Sequence, residues 1–509
     1  MFQLDYVTAI LLILAVYIAS PLISRFVSAL RQKRHLLSVI PAPEHHWLLG
    51  HLHTFPGLTA GGLQWHQNAT VRFPRYYLFM AGPANTAVLV NHPETSKKVA
   101  AALGSKQMEG SASVYRFLKP WLGDGLIVSS GAKWHRNRRL LTSGFHFDIL
   151  RQYIRVYNDC ADLLLNNIAK YAVEMGKSMD IFKPIGLCTF DIILQCAFSI
   201  HVDVQNLENE LEYHKSVSFM SRQVMERCFK PLVFYDILYA LTGNGRRFAR
   251  DCQYSHRFAD DIIAKRKATL DTDDAALRRG KMTDFLDILL LARDDEGRGL
   301  TDVEIRNEAE TFLFAGHDTT KSAISWCLYN LAKHPEIQSR ARDEVDAILQ
   351  GRTDRRIHDD DMTSLEYLTR CIRESMRMHP PVPIIGRTLD TPLEIDPGKV
   401  IPAGTKVTTM IYNLHHNPEV WPDHMTFDPD RFLPKNMKHM DSHAFMPFSA
   451  GSRNCIGQHF AMNQIRTLVA RVLDRFEMRT DPEREAILHP DIVMRSVDGM
   501  YIYFENRLQ

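Results

Sequence analysis

The sequence predicts a mostly helical α+β domain, and three observations carry that expectation. Apolar residues recur three and four apart through long stretches of the middle of the chain, at 149–174, 248–270, 284–293, 302–333 and 335–349. Strand-like runs are short and lie near both ends, at 75–79, 87–90, 393–395 and 406–410, with a hairpin expected across MRSVDGMYIYF turning at Asp498-Gly499. No Pro/Gly/Ser linker, fixed-period repeat or low-complexity segment divides the 509 residues, so one large domain is expected over residues 45–509.

The N-terminus departs from that pattern. Tyr6 to Ile23 carries no charge over 18 residues and as a helix would span about 27 Å, close to the hydrocarbon thickness of an endoplasmic reticulum bilayer. A cleaved signal peptide needs a basic start, and here only Asp5 precedes the apolar run. The basic residues Arg25, Arg31, Lys33 and Arg34 follow it, which by the positive-inside rule leaves the body of the protein in the cytosol. Residues 1–24 are therefore expected to be a single-pass membrane anchor. Residues 25–44, basic and stiffened by Pro41 and Pro43, are expected to be a hinge.

Composition excludes several classes. Sixty-one basic residues stand against 59 acidic ones, for a net charge of +2, and they are scattered, so nucleic acid is not an expected partner. The eight cysteines, at 160, 188, 196, 228, 252, 327, 371 and 455, include no CxxC pair. That argues against a disulfide framework and a zinc ribbon. The charged stretch 271–284 reads as a surface loop.

The 302–333 helix is bounded by chemistry at both ends. Thr301 and Glu304 form a capping box, and His334-Pro335 stops the run. Its centre, FLFAGHDTTKS, contains Gly316, which weakens a helix by about 1 kcal/mol relative to alanine. Thr311, Ala315, Asp318, Thr319 and Ser322 fall three or four apart. They could line a face with room for a flat ligand, or equally a close helix–helix contact holding a buried Asp.

Cys455 stands in a different context from the other seven cysteines. It follows Gly451 and Arg453, precedes Gly457, and leads into the helical pattern QHFAMNQIRTLVARVLDRF. A cysteine there is favoured as thiolate by the helix dipole and backbone N–H groups, and a thiolate binds soft metals. With one protein ligand on offer, the metal must bring its others with it, as iron does in haem.

The loop FSAGSRNCIG resembles the haem-ligand loop of the cytochrome P-450 superfamily, through Phe448, Gly451, Arg453, Cys455 and Gly457. Further matches follow the family's order. AGHDTT resembles the oxygen-activating helix motif, mapping its acid–alcohol pair onto Asp318 and Thr319 and placing Ala315 and Gly316 against the haem. ESMR resembles the E-x-x-R motif at Glu374 and Arg377, completed by Arg431 in FDPDRF. WHRNR resembles the W-x-x-x-R of a propionate-holding helix, at Trp134 and Arg138, and Arg387 in VPIIGR is a further propionate partner by resemblance.

This resemblance implies the P-450 fold, haem b (iron protoporphyrin IX) with the Cys455 thiolate as axial ligand, and insertion of one oxygen atom of O2 into a C–H bond. Asp318 and Thr319 would serve proton delivery, and Glu374, Arg377 and Arg431 folding. No flavin or nicotinamide fingerprint is present, so NADPH is expected to act through NADPH-cytochrome P-450 reductase, with cytochrome b5 as a second candidate donor. The implied location is the endoplasmic reticulum membrane. Phrases such as LYNLAKHPE and HHNPEVWPD are similar to the microsomal fatty-acid omega-hydroxylases, implying a lipophilic substrate oxidised at or near a terminal carbon. Members that esterify their haem carry Glu directly before GHDTT; Ala315 stands there, so the haem is expected without that link. Family position expects the channel to be shaped by 105–131, Ala315, 382–385 and 497–500. The alternatives are oxidation of steroids or xenobiotics, a reductase-independent peroxide isomerase, and a non-catalytic haem sensor.

Overall fold

The computed structural model describes residues 20, 23–83, 85–102, 104–106, 114–202, 204–206, 212–230, 233–272 and 284–507. Its axis is the helix Asp302–Lys333, 32 residues long. The expected capping box is formed: Thr301 Oγ1 accepts the Glu304 N–H at 3.3 Å, and Glu304 Oε2 accepts the Thr301 N–H at 2.9 Å. Against this helix lies Phe182–Phe198, buried on almost every side. Burial all round erases the apolar stripe by which surface helices are recognised, which is why this element has no periodic signal. Phe147–Ile168, Gly243–Thr272, Glu366–Met378 and Gln458–Arg475 surround the pair. They share one core with residues such as Leu164, Trp326, Leu368 and Leu468. Phe147–Ile168 runs on into a wider turn at Ala169–Val173, so the 149–174 pattern is one helix with a change of winding.

The strands, in chain order, are β1 (Tyr76–Met80), β2 (Thr86–Val90), β3 (Gly104–Ser105), β4 (Met179–Asp180), β5 (Ile384–Leu389), β6 (Leu393–Asp396), β7 (Lys399–Ile401), β8 (Lys406–Met410), β9 (Phe476–Thr480), β10 (Leu488–Pro490), β11 (Met494–Ser496) and β12 (Tyr501–Asn506). The largest sheet has the order β1-β2-β8-β5-β3, with β2 and β8 parallel. The hairpin expected across Asp498-Gly499 does not form: β11 pairs with β10, whereas β12 pairs with β4 and β9. The turn residue is real, since Gly499 has φ +94° and a Cβ there would lie 2.8 Å from the Asp180 carboxyl. Asp180 Oδ1 also accepts the Met500 N–H at 2.8 Å, which leads the chain onto β4 and away from β11.

Residues 23–39 are helical, and Leu36 and Ile40 are buried against Leu78, Val88 and Ile395. The Leu78 N–H donates to Pro41 O at 2.8 Å. The expected 25–44 hinge is thus docked onto the sheet from Leu36 onward, because its apolar residues have a sheet face to cover. Among the described residues no helix is long and apolar enough to cross a membrane. The expected span Tyr6–Ile23 lies outside them apart from Ser20 and Ile23.

Candidate active site

The long helix is buried along its centre except at Ala315, Gly316 and Thr319, which are half-buried. These three are exposed to an internal cavity of about 470 Å³, a volume typical of a small-molecule site. Thr319 Oγ1 donates to Ala315 O at 2.8 Å, leaving its lone pairs as acceptors. Of the five residues expected on one face, Thr311, Ala315 and Thr319 line the cavity, but Asp318 and Ser322 do not. Ser322 donates to Met494 O at 2.6 Å. Asp318 is buried in an ion pair with Lys321, with Arg495 3.6 Å away. Burial opposes its charge, but Lys321 and Arg495 outweigh burial and hold the carboxyl well below the usual range. Successive helix residues point about 100° apart, so Thr319 facing the cavity turns Asp318 behind the wall.

The Cys455 loop closes the other side. Its turns are set by backbone bonds: Cys455 N–H to Phe448 O at 2.9 Å and Asn454 N–H to Gly451 O at 3.1 Å. Gly451 sits at φ +73°, and a Cβ there would lie 2.4 Å from Ala100 O, so only glycine fits. Gly457 caps the helix Gln458–Arg475, two residues past Cys455. Seven of the cysteines are buried and Cys455 is exposed, yet Cys455 lines the cavity, so its free surface opens inward. Burial pushes its thiol up, opposed in part by the Gly457 N–H and by Arg138.

Cations gather on this side without acidic partners. Arg138 grips Asn454, with Nη1 on its carbonyl at 2.8 Å and Nη2 on Oδ1 at 2.9 Å. Arg453 stacks over Trp134 at 4.1 Å and donates to Ser129 O at 2.7 Å. Burial, then repulsion from Arg387, lowers Arg453 to about 10. Arg387 is itself buried, donates weakly to Ala102 O at 3.4 Å and does not line the cavity. Lys106, which sequence reasoning did not single out, donates to Tyr115 OH at 3.0 Å. Burial opposes ionisation of Tyr115, but Lys106 outweighs it and lowers the phenol. Among the described residues no carboxylate pairs with any of these four cations. Uncompensated buried charge of this kind calls for an anionic occupant. A thiol aimed into an apolar cavity beside unpaired guanidinium groups therefore suits a flat, dianionic group carrying a thiophilic metal.

Much of the remaining wall is apolar, with Phe145, Phe312, Val382, Ile384 and Ile456 in it, and Asn85, Lys406 and Asp491 are among its polar members. The segment 497–500, expected to shape the channel, stands outside, with Val497 exposed and Met500 sealed in the core. Asp491, Ile492 and Val493 take its place. Residues 107–113 of the expected loop lie outside the described residues.

Glu374, Arg377 and Arg431 meet away from the cavity. Arg377 donates Nε and Nη2 to the two Glu374 oxygens at 2.7 and 2.8 Å, both side chains being 0% exposed, and Arg431 Nε lies 3.4 Å from Glu374 Oε1. Arg377 also donates to the carbonyls of His415, His424 and Thr426. The cluster thereby fastens the 415–431 segment, from which the chain runs on to the Cys455 loop.

The family model for Cytochrome P450 matches residues 40–502. The chain is 38% identical over 501 residues to Leukotriene-B4 omega-hydroxylase 3 of Mus musculus, covering 97% of this chain and 95% of that protein. It is 40% identical over 471 residues to Cytochrome P450 4F6 of Rattus norvegicus, covering 91% and 86%. To the Ultra-long-chain fatty acid omega-hydroxylase of Homo sapiens it is 38% identical over 467 residues, covering 91% and 87%.

Proposed function

The chain belongs to the cytochrome P450 family, and we propose that it hydroxylates a fatty acid or related lipid at or near the terminal carbon. The observation that carries this reading is one cavity with two unlike sides: the inward-opening Cys455 sulfur with its cations, and the Ala315–Gly316–Thr319 face of the long helix, joined by apolar walls.

Haem b would be held through the Cys455 sulfur in the loop containing Phe448, Gly451 and Gly457, with Arg138, Arg453, Lys106 and Arg387 as the cations available to its carboxylates and Trp134, Ala315 and Gly316 as further contacts. When bound, the haem would supply activation of O2, so that one oxygen atom enters a C–H bond and the other leaves as water. The chain's own residues do the rest. Apolar walls exclude water and leave hydrocarbon as the complementary occupant. Thr319 Oγ1, anchored on Ala315 O, is placed to accept and pass a proton on the cavity side. Asp318 stays ionised behind the helix between Lys321 and Arg495, so a proton drawn from its side must travel round the helix to reach Thr319. Glu374, Arg377 and Arg431 keep the loop in register. Ala315 offers no carboxyl to the haem, so an ester link at that position is not formed.

Electrons come from NADPH through a reductase, with cytochrome b5 as a second donor. We place the catalytic domain, residues 45–509, on the cytosolic side of the endoplasmic reticulum membrane, with 1–24 as anchor and 25–44 as the basic segment joining them. Exposed apolar residues at Trp47, Leu48 and Leu49, and at Tyr235, Ile237, Leu238 and Leu241, support contact with a lipid surface. The test is the full chain reconstituted with reductase and offered mixed lipids, steroids and drugs. Oxygen gained at the end of a fatty chain, dependent on NADPH, supports the reading. Oxidation of steroids or drugs alone, or turnover of peroxides without reductase, overturns it.

A further inference from the structure

Lys406, the first residue of β8, lies in the cavity wall; Arg387 of the cation cluster pairs with its neighbour Val407, so alternation sends the two basic side chains to opposite faces of the sheet. Lys406 and Thr408 alternate inward, while Val407 and Thr409 are buried between them. The Lys406 ammonium carries three donors, and the structure supplies one acceptor, Asn85 Oδ1 at 2.9 Å. Among the described residues no carboxylate faces it. Its other neighbour is Cys228, which burial keeps as a thiol.

Lys406 shares none of the hydrogen-bond partners described above for the cations near Cys455. Arg387 and Arg138 depress Arg453, and Arg453 and Arg387 depress Lys106. Lys406 is lowered to about 8 by burial. The cluster suits the carboxylates of the prosthetic group, and Lys406 is left over.

The fold also sets Lys406 apart along the cavity. The other end of β8, Met410, runs into the turn Ile411–His415, and His415 Nε2 accepts the Met446 N–H at 2.9 Å, just before the Cys455 loop. Lys406 is four residues back along an extended strand, roughly 13 Å from Met410. Phe79, Ala87, Cys228 and Phe229 also line the cavity.

We propose that Lys406 is the subsite that binds the carboxylate of the lipid substrate, with Asn85 orienting its ammonium, so that the opposite end of the chain is delivered to the Thr319 and Cys455 region. This rests on the fatty-acid reading above and deepens it: the substrate class is a free acid, and an ester or alcohol of equal length loses the anchoring contact.

The test compares hexadecanoic acid with hexadecan-1-ol on the full-length holoprotein, by equilibrium dialysis for Kd and by reconstituted turnover for product position. Lys406→Met is expected to weaken acid binding about tenfold or more, as loss of a hydrogen bond to a charged group does, and to leave alcohol binding within about twofold. Lys406→Arg keeps acid binding. Asn85→Ala, which removes the neutral partner but not the charge, weakens it less than Lys406→Met. Equal loss for acid and alcohol, or unchanged acid affinity in Lys406→Met with terminal hydroxylation intact, overturns the assignment while leaving the fatty-acid reading standing. A wild-type protein that binds and oxidises neither probe overturns both.

Discussion

Asp318 and Lys321 form an ion pair one helical turn apart, with both side chains 1% exposed. Neither has water to fall back on, so each stabilises the other's charge. Replacing Lys321 by Met leaves Asp318 with Arg495 alone, and breaking a buried pair from one side costs about 3 to 5 kcal/mol. Because Asp318 is held below its unfolded value, its contribution is present above the unfolded pKa and is lost as pH falls through the folded one. The advantage of the wild type over Lys321→Met should therefore be largest near pH 7 and narrow as the pH falls. Denaturant midpoints of both proteins between pH 7 and about pH 3 check this; coincident curves count against it.

Glu308 behaves in the opposite sense. It accepts from the Leu126 N–H at 2.9 Å and from Asn137 Nδ2 at 3.0 Å, yet burial lifts it from 4.5 to about 7. A carboxyl raised on folding binds its proton more tightly in the native state, so stability falls as pH rises between about 4.5 and 7. Glu308→Gln is expected to flatten that part of the stability profile and to be at least as stable as wild type at pH 7.

Glu374→Gln removes the charge shared by Arg377 and Arg431 and should destabilise by about 3 to 5 kcal/mol. The readout is haem content of purified protein alongside thermal unfolding, and both should drop together. Cys455→Ser should keep the fold and lose the red-shifted absorbance of the reduced protein under carbon monoxide.

Thr319→Ala removes the cavity-side hydroxyl. Product formed per NADPH consumed should fall steeply, since a positioned proton-transfer group contributes roughly 100-fold or more, while substrate Kd is unchanged. Unaltered coupling would exclude Thr319 from proton transfer.

Ala315→Glu tests the absence of an ester link. Acid extraction into organic solvent should release all haem from the wild type and leave part of it attached to the variant after turnover. Retention by the wild type would refute the assignment.

Binding of the lipid acid should depend on pH through Lys406. With the ammonium near Asn85 and Cys228 lowered to about 8, affinity for hexadecanoic acid should weaken as pH rises through 8 and stay flat in Lys406→Arg.

Local chemistry made much of this molecule legible. The 302–333 helix has both ends fixed by residues within four positions, and it begins and stops where those residues put it. Cys455, Phe448, Arg453, Trp134 and Arg138 were expected together and line one cavity. What stayed hidden depends on distant partners. The Asp498-Gly499 turn is local, but β4 and β9 decide what the following strand pairs with. Spacing placed Asp318 and Thr319 on the same broad sector, while only the packing of Lys321 and Arg495 decides which of the two turns inward. A lysine opening a strand reads as an exposed edge, so Lys406 gave no signal.

The central position of β8 has a last consequence. Hydrogen-bonded to a neighbour on either side, the strand can neither stretch nor slip, so the gap between its two ends acts as a fixed caliper. Molecules too short to bridge it can be gripped at the head or attacked at the tail but not both, and that discrimination by length resides in backbone geometry that no single side-chain exchange can retune.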